Sequence, residues 1–106
     1  WAIHQRWHVV PVNAMHSRKL KKCWLAGSSC DSDDIYSAGG TYIPLPDINQ
    51  LEELYIAVLD TGAYQDPLAS HHCLLSSPVK LIATNGELKI ARKREQPEDV
   101  SKLFGW

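Results

Sequence analysis

A chain of 106 residues is long enough for one domain and one modest hydrophobic core. With 44% hydrophobic and 22% charged residues it falls outside the disordered class, and a formal charge of -1 gives no reason to expect nucleic acid or an acidic membrane as partner. No apolar run approaches the length that spans a bilayer, and residues 1–10 lack the charged start and apolar middle of a signal peptide.

In chain order, residues 1–8 show no clean period and read as a helix end or a connecting segment. Residues 9–15 are β-branched and apolar, which predicts a strand that Pro11 keeps near an edge or a bulge. Residues 17–22 are a basic, solvated link or an edge that discourages stray pairing, and 23–26 a short buried strand. A division follows into residues 1–22, a connecting segment with the first strand, and residues 23–106, the main β domain.

The stretch Trp24-Leu25-Ala26-Gly27-Ser28-Ser29-Cys30-Asp31-Ser32-Asp33-Asp34 organises the rest. Gly27, Ser28 and Ser29 can bend the backbone sharply, and the Ser and Asp residues at 31–34 can satisfy loop amides with their own oxygens. Cys30 and Asp31 are then expected at the tip of a strand, facing outward as a pair. An ordinary acidic turn holding an incidental cysteine is the plainer alternative.

Gly39-Gly40 signals a turn, and residues 41–48 alternate as an extended segment that Pro44 and Pro46 exclude from the centre of a sheet. Residues 54–59 are the strongest strand, a continuous apolar run of the kind covered on both faces. A tight turn at 60–64 follows, with Tyr64 just past it, and residues 65–77 read as a surface loop. Residues 79–84 and 87–92 flank Asn85-Gly86, the pair best suited to a type I′ hairpin turn.

Residues 97–104 change period. Pro97 stands in the first turn with acids beside it, Val100, Leu103 and Phe104 share a face, and Gly105 stops the helix. The fold expected is mainly β: a Greek-key-like sandwich or barrel of about six strands with a short C-terminal helix.

Three cysteines, Cys23, Cys30 and Cys73, make an odd set without close pairing, which suits a reducing compartment and a cytoplasmic location. A zinc site from Cys23, Cys30, His71, His72 and Cys73 lacks the two close ligand pairs such sites carry, so no metal is expected. A cysteine hydrolase built on Cys30 has five histidines to choose among, and nothing fixes which is the base. A non-catalytic β-sandwich module for interaction or regulation explains the strands but not the adjacent thiol and acid.

The order Gly27-Ser28-Ser29-Cys30-Asp31-Ser32-Asp33-Asp34, then Tyr55-Ile56-Ala57-Val58-Leu59-Asp60-Thr61-Gly62-Ala63-Tyr64, then a hairpin ending Arg92-Lys93-Arg94-Glu95, resembles a known domain. It is similar to the C-terminal β domain of the pyridoxal-phosphate-dependent ornithine, arginine, lysine and diaminopimelate decarboxylases, which share the alanine-racemase-like fold. The resemblance runs from about Cys23 to Phe104, and it rests on the Cys-Asp-Ser-x-Asp element together with Gly-Ala-Tyr.

The resemblance implies a role for each matched residue. Cys30 matches a cysteine that reaches a neighbouring subunit's active site and protonates the substrate after carbon dioxide departs. Asp31 matches the acid that holds the distal amine or guanidine of a basic substrate, and Tyr64 the tyrosine that contacts the cofactor phosphate. The residue types suit these tasks. A thiol of ordinary pKa near ~8.5 stays protonated at neutral pH and can donate. A carboxylate can pair with a cationic tail, and a phenol can donate to phosphate.

The implied partners are an N-terminal barrel domain, a second subunit in a homodimer and a small amino-acid substrate. The barrel's Schiff-base lysine and glycine-rich phosphate loop have no counterpart here, and the chain opens on Trp1 without an initiator Met. It reads as a domain cut from a longer enzyme, inactive alone. Asp31, where diaminopimelate enzymes usually carry Glu, tilts the expected substrate toward arginine, ornithine or lysine.

Overall fold

A computed structural model describes residues 7–36, 42–63 and 65–106, with Gln50 described in its backbone only. It divides into two compact units, Trp1–Ala69 and Ser70–Trp106. Among the described residues the fold is mainly β, with six strands and a short C-terminal helix, as the sequence predicts. The strands pair as three antiparallel two-stranded ladders.

In the first unit β1 (Val9–Pro11) pairs with β4 (Ile56–Val58), with Val10 opposite Ala57 and Pro11 opposite Ile56. Main-chain bonds continue the ladder outward, from Val12 N–H to Tyr55 O at 2.9 Å and from Leu59 N–H to His8 O at 2.8 Å. The Asn13 side chain closes one end: it donates to Glu53 O and accepts from Tyr55 N–H, both at 2.8 Å. The strand expected over 9–15 stops at Pro11 because Ala14 N–H turns back to Pro11 O at 3.0 Å.

The run at 54–59 is not covered on both faces. Tyr55 is 57% and Leu59 46% exposed, because among the described residues its strand pairs with β1 alone, and Leu54, Ile56 and Ala57 are half-buried.

β2 (Leu20–Cys23) pairs with β3 (Ile43–Pro46). Of the buried strand expected over 23–26 only Cys23 lies in β2, which is exposed along residues 20–22, so part of the expected basic link is strand. Lys21 and Lys22 are tolerated there because β2 is an exposed edge, and Lys21 Nζ pairs with Asp47 Oδ2 at 2.8 Å. Pro44 and Pro46 share one parity, so the N–H groups they lack would point away from β2, while Asp47 N–H reaches Lys19 O at 3.4 Å. Leu45 and Pro46 are buried and form the core of this unit.

Residues 65–77, expected as a loop, hold a one-turn helix α1 (Gln65–Leu68) and a 3-10 turn (His72–Leu74). In the second unit β5 (Lys80–Thr84) and β6 (Glu87–Arg92) form the expected hairpin. Asn85 (φ 50) and Gly86 (φ 77) both take the left-handed conformation that a type I′ turn requires.

α2 (Pro97–Leu103) begins in a capping box between Gln96 and Asp99 and buries Val100 to 3% exposure. It ends at Gly105 (φ 84), where Gly105 N–H bonds Lys102 O and Trp106 N–H bonds Ser101 O in a Schellman motif. Among the described residues no helix is long and apolar enough to cross a membrane.

Candidate functional site

The loop carrying Cys30 and Asp31 rises from the end of the β2–β3 ladder. One residue pair beyond Cys23 and Ile43, Trp24 and Tyr42 stack with ring centroids 5.6 Å apart and planes at 21°. This continues the ladder's register as an aromatic cross-strand pair at the loop's entry. At the exit, the Tyr36 hydroxyl bonds the backbone N–H and carbonyl of Trp7, whose ring lies 6.0 Å away.

Between these anchors the chain forms a short antiparallel neck. Ala26 faces Ile35, Gly27 N–H donates to Asp34 O at 2.9 Å, and Tyr36 N–H to Leu25 O at 2.8 Å. Residues 28–33 close over it as a compact loop, and Cys30 and Asp31 are both exposed there. Asp31 and Asp34 satisfy loop amides with their own side-chain oxygens, as expected, and Ser29 and a backbone carbonyl add two more bonds. Asp31 N–H donates to Ser29 Oγ at 3.3 Å, Asp33 N–H to Asp31 Oδ1 at 2.8 Å, and Asp34 N–H to Asp31 O at 3.1 Å.

Asp34, one of the acids the sequence offers for the loop's amides, has a specific task that residue type alone does not show. Its Oδ2 accepts from Ser29 N–H at 3.1 Å and from Ser29 Oγ at 2.6 Å. The signal was present as the five-residue separation of a small hydroxyl residue and an acid across a turn. Gly27 takes no left-handed conformation; a Cβ there would lie 2.1 Å from Asp34 Oδ2 and 2.2 Å from Oδ1. Glycine is at this position to leave room for a carboxylate.

Tyr64 lies outside the described residues, so its expected role meets no geometry here. Of the five residues weighed for zinc, Cys23 and Cys30 belong to the first unit and His71, His72 and Cys73 to the second. Among the described residues no group of three or more His, Cys, Asp or Glu side chains is arranged to hold a metal ion.

His71 instead pairs its Nε2 with Glu95 Oε2 at 2.8 Å, and the same oxygen accepts from Ser77 N–H at 2.7 Å. These two donors, Ser77 foremost, hold the Glu95 carboxyl below its ordinary value of 4.5. In the first unit Asp47 is likewise held low, by Lys21 and then by the Asn49 amide. Both pairings order their own segments.

No protein-family model matches the chain, and no solved structure matches it. Curated relatives do. It is 32% identical to an arginine decarboxylase of Avena sativa over 90 residues, 79% of this chain and 15% of that protein. It is 30% identical to a diaminopimelate decarboxylase of Bacillus subtilis over 103 residues, 96% of this chain and 22% of that protein. A diaminopimelate decarboxylase of Aquifex aeolicus is 27% identical over 92 residues, 83% of this chain and 20% of that protein. The chain thus spans between 15% and 22% of the length of these relatives, and it is a domain related to amino-acid decarboxylases.

Proposed function

We propose that the chain is the C-terminal domain of a pyridoxal-phosphate-dependent decarboxylase of basic amino acids, and that it completes an active site across a homodimer interface. The observation that carries this reading is the exposed Cys30–Asp31 pair on a loop anchored at both ends. A thiol and a carboxylate on adjacent residues can serve two ends of one amino-acid substrate.

The loop fits a place beside such a cofactor rather than around it. The amides of Ser29, Asp31, Asp33 and Asp34 all turn inward onto the loop's own oxygens, so these four are not offered to a phosphate. Tyr64 is the residue that would donate to the phosphate. When bound, pyridoxal phosphate supplies the electron withdrawal that lets a carboxyl group leave.

This chain's part is then binding and proton delivery. Asp31 holds the cationic end of arginine, ornithine or lysine through a charge-assisted hydrogen bond. That contact fixes the far end of the substrate and sets which carbon faces Cys30. Cys30 gives its Sγ proton to the carbon that has lost carbon dioxide and regains it from water.

The test is made in the full-length protein. Asp31→Ala should lower kcat/KM for a basic amino acid roughly ten- to a hundred-fold, equivalent to ~1.5–3 kcal/mol for one charge-assisted contact, mainly through KM. If the variant loses thermal stability alone, with kinetics unchanged in the folded fraction, the loop is structural and the chain is a non-catalytic module.

A further inference from the structure

Of residues 27–34, Ser29 and Asp34 are half-buried and the other six are exposed. Cys30 and Asp31 face solvent, while Ser29 and Asp34 sit beneath them. Asp34 Oδ2 accepts both the N–H and the hydroxyl of Ser29, and Ser29 Oγ in turn accepts the N–H of Asp31. One carboxylate oxygen thus holds the residue before Cys30 directly and the residue after it through a relay.

We propose that Asp34 is a positioning residue, held against Gly27 so that Ser29 fixes Cys30 and Asp31 on one turn. The inference rests on the reading of Cys30 and Asp31 as active-site groups. Its physical basis is the closeness of Gly27. A Cβ added there would stand 2.1, 2.2 and 2.3 Å from Asp34 Oδ2, Oδ1 and Cγ. All three atoms belong to a short side chain with two torsions. Turning it away from a methyl group releases Ser29, and keeping Ser29 leaves the clash.

Gly27 and Asp34 should therefore act as one unit. What Ser29 requires of Asp34 is one acceptor oxygen, because a single oxygen receives both of its donors. An amide oxygen has the two lone pairs for this.

The first measurement is amide hydrogen exchange by NMR on the 106-residue chain. Asp34→Ala should speed exchange at Ser29 and Asp31 by roughly tenfold, the equivalent of one lost hydrogen bond. The ladder amides of β1–β4 and β2–β3, in the same unit as the loop, should hold their rates, which keeps unfolding of that unit out of the result. Asp34→Asn should keep the loop amides near wild type. Gly27→Ala should match Asp34→Ala, and the double variant should be no looser than either single one.

The second measurement is kinetic, in the full-length enzyme. Asp34→Ala should lower kcat and raise KM together, since both tip residues are displaced, and Asp34→Asn should restore both. Unchanged exchange in Asp34→Ala, or additive effects of Gly27→Ala and Asp34→Ala, overturns the positioning role even where Asp31→Ala still impairs catalysis. Loosened amides with kinetics untouched by both Asp34→Ala and Asp31→Ala overturn the active-site reading, and the positioning role with it.

Discussion

His71 and Glu95 meet across 24 residues, with Nε2 2.8 Å from Oε2, and so tie the 3-10 turn to the segment that leads into α2. The second strap runs between backbones: Glu95 N–H donates to Ser77 O at 3.1 Å while the Glu95 carboxylate receives Ser77 N–H. Because these donors favour the ionised carboxylate, its folded pKa lies below 4.5. Its contribution to stability is therefore complete above the unfolded value and is lost as pH falls through the lowered folded one.

Glu95→Gln removes that titration. Urea midpoints of the wild-type chain should fall between about pH 6 and pH 3, and those of Glu95→Gln should fall less over the same range. A variant as steep in acid as wild type would place the acid sensitivity elsewhere.

Gly86 tests the hairpin. It holds φ 77 with nothing within 4 Å of an added Cβ, so Gly86→Ala meets only the backbone cost of the left-handed conformation. That cost is about 1–2 kcal/mol, read as a lower denaturation midpoint at unchanged slope. An unchanged midpoint would show that the turn does not limit stability.

The hairpin and α2 were legible in the sequence because their signals are local. Asn85-Gly86 specifies a turn by its own torsions, and Pro97 and Gly105 bracket a helix by theirs. Strand edges in the first unit were less legible. Residues 20–22 read as part of a basic, solvated link until β3 supplies a partner, and tolerance of Lys21 depends on Asp47 twenty-six residues away.

The site divides the same way. Cys30 and Asp31 stand out by residue type, whereas Asp34 matters through its distance to Gly27 and Ser29, which only the folded loop displays. The turn at 72–74 was hidden because Cys73 and Leu74 take φ 55 and 59, conformations that neither residue type advertises.

Cys30→Ala separates proton delivery from binding. In the full-length protein KM should stay within about threefold of wild type while kcat falls at least tenfold, as for loss of a general acid. Some turnovers should place the proton on the wrong carbon, so that amine product falls short of the carbon dioxide released. Equal yields of amine and carbon dioxide at wild-type kcat would remove Cys30 from the reaction.

The central claim is that this loop serves the active site of a second subunit. It is tested by mixing full-length Cys30→Ala subunits, inactive or slow alone, with subunits lacking the Schiff-base lysine of the barrel. Random pairing makes half of the dimers mixed. Each mixed dimer has one site with both defects and one with neither, so activity should recover to about a quarter of wild type. Recovery to that level is the predicted result; a mixture no more active than its two components would contradict the account.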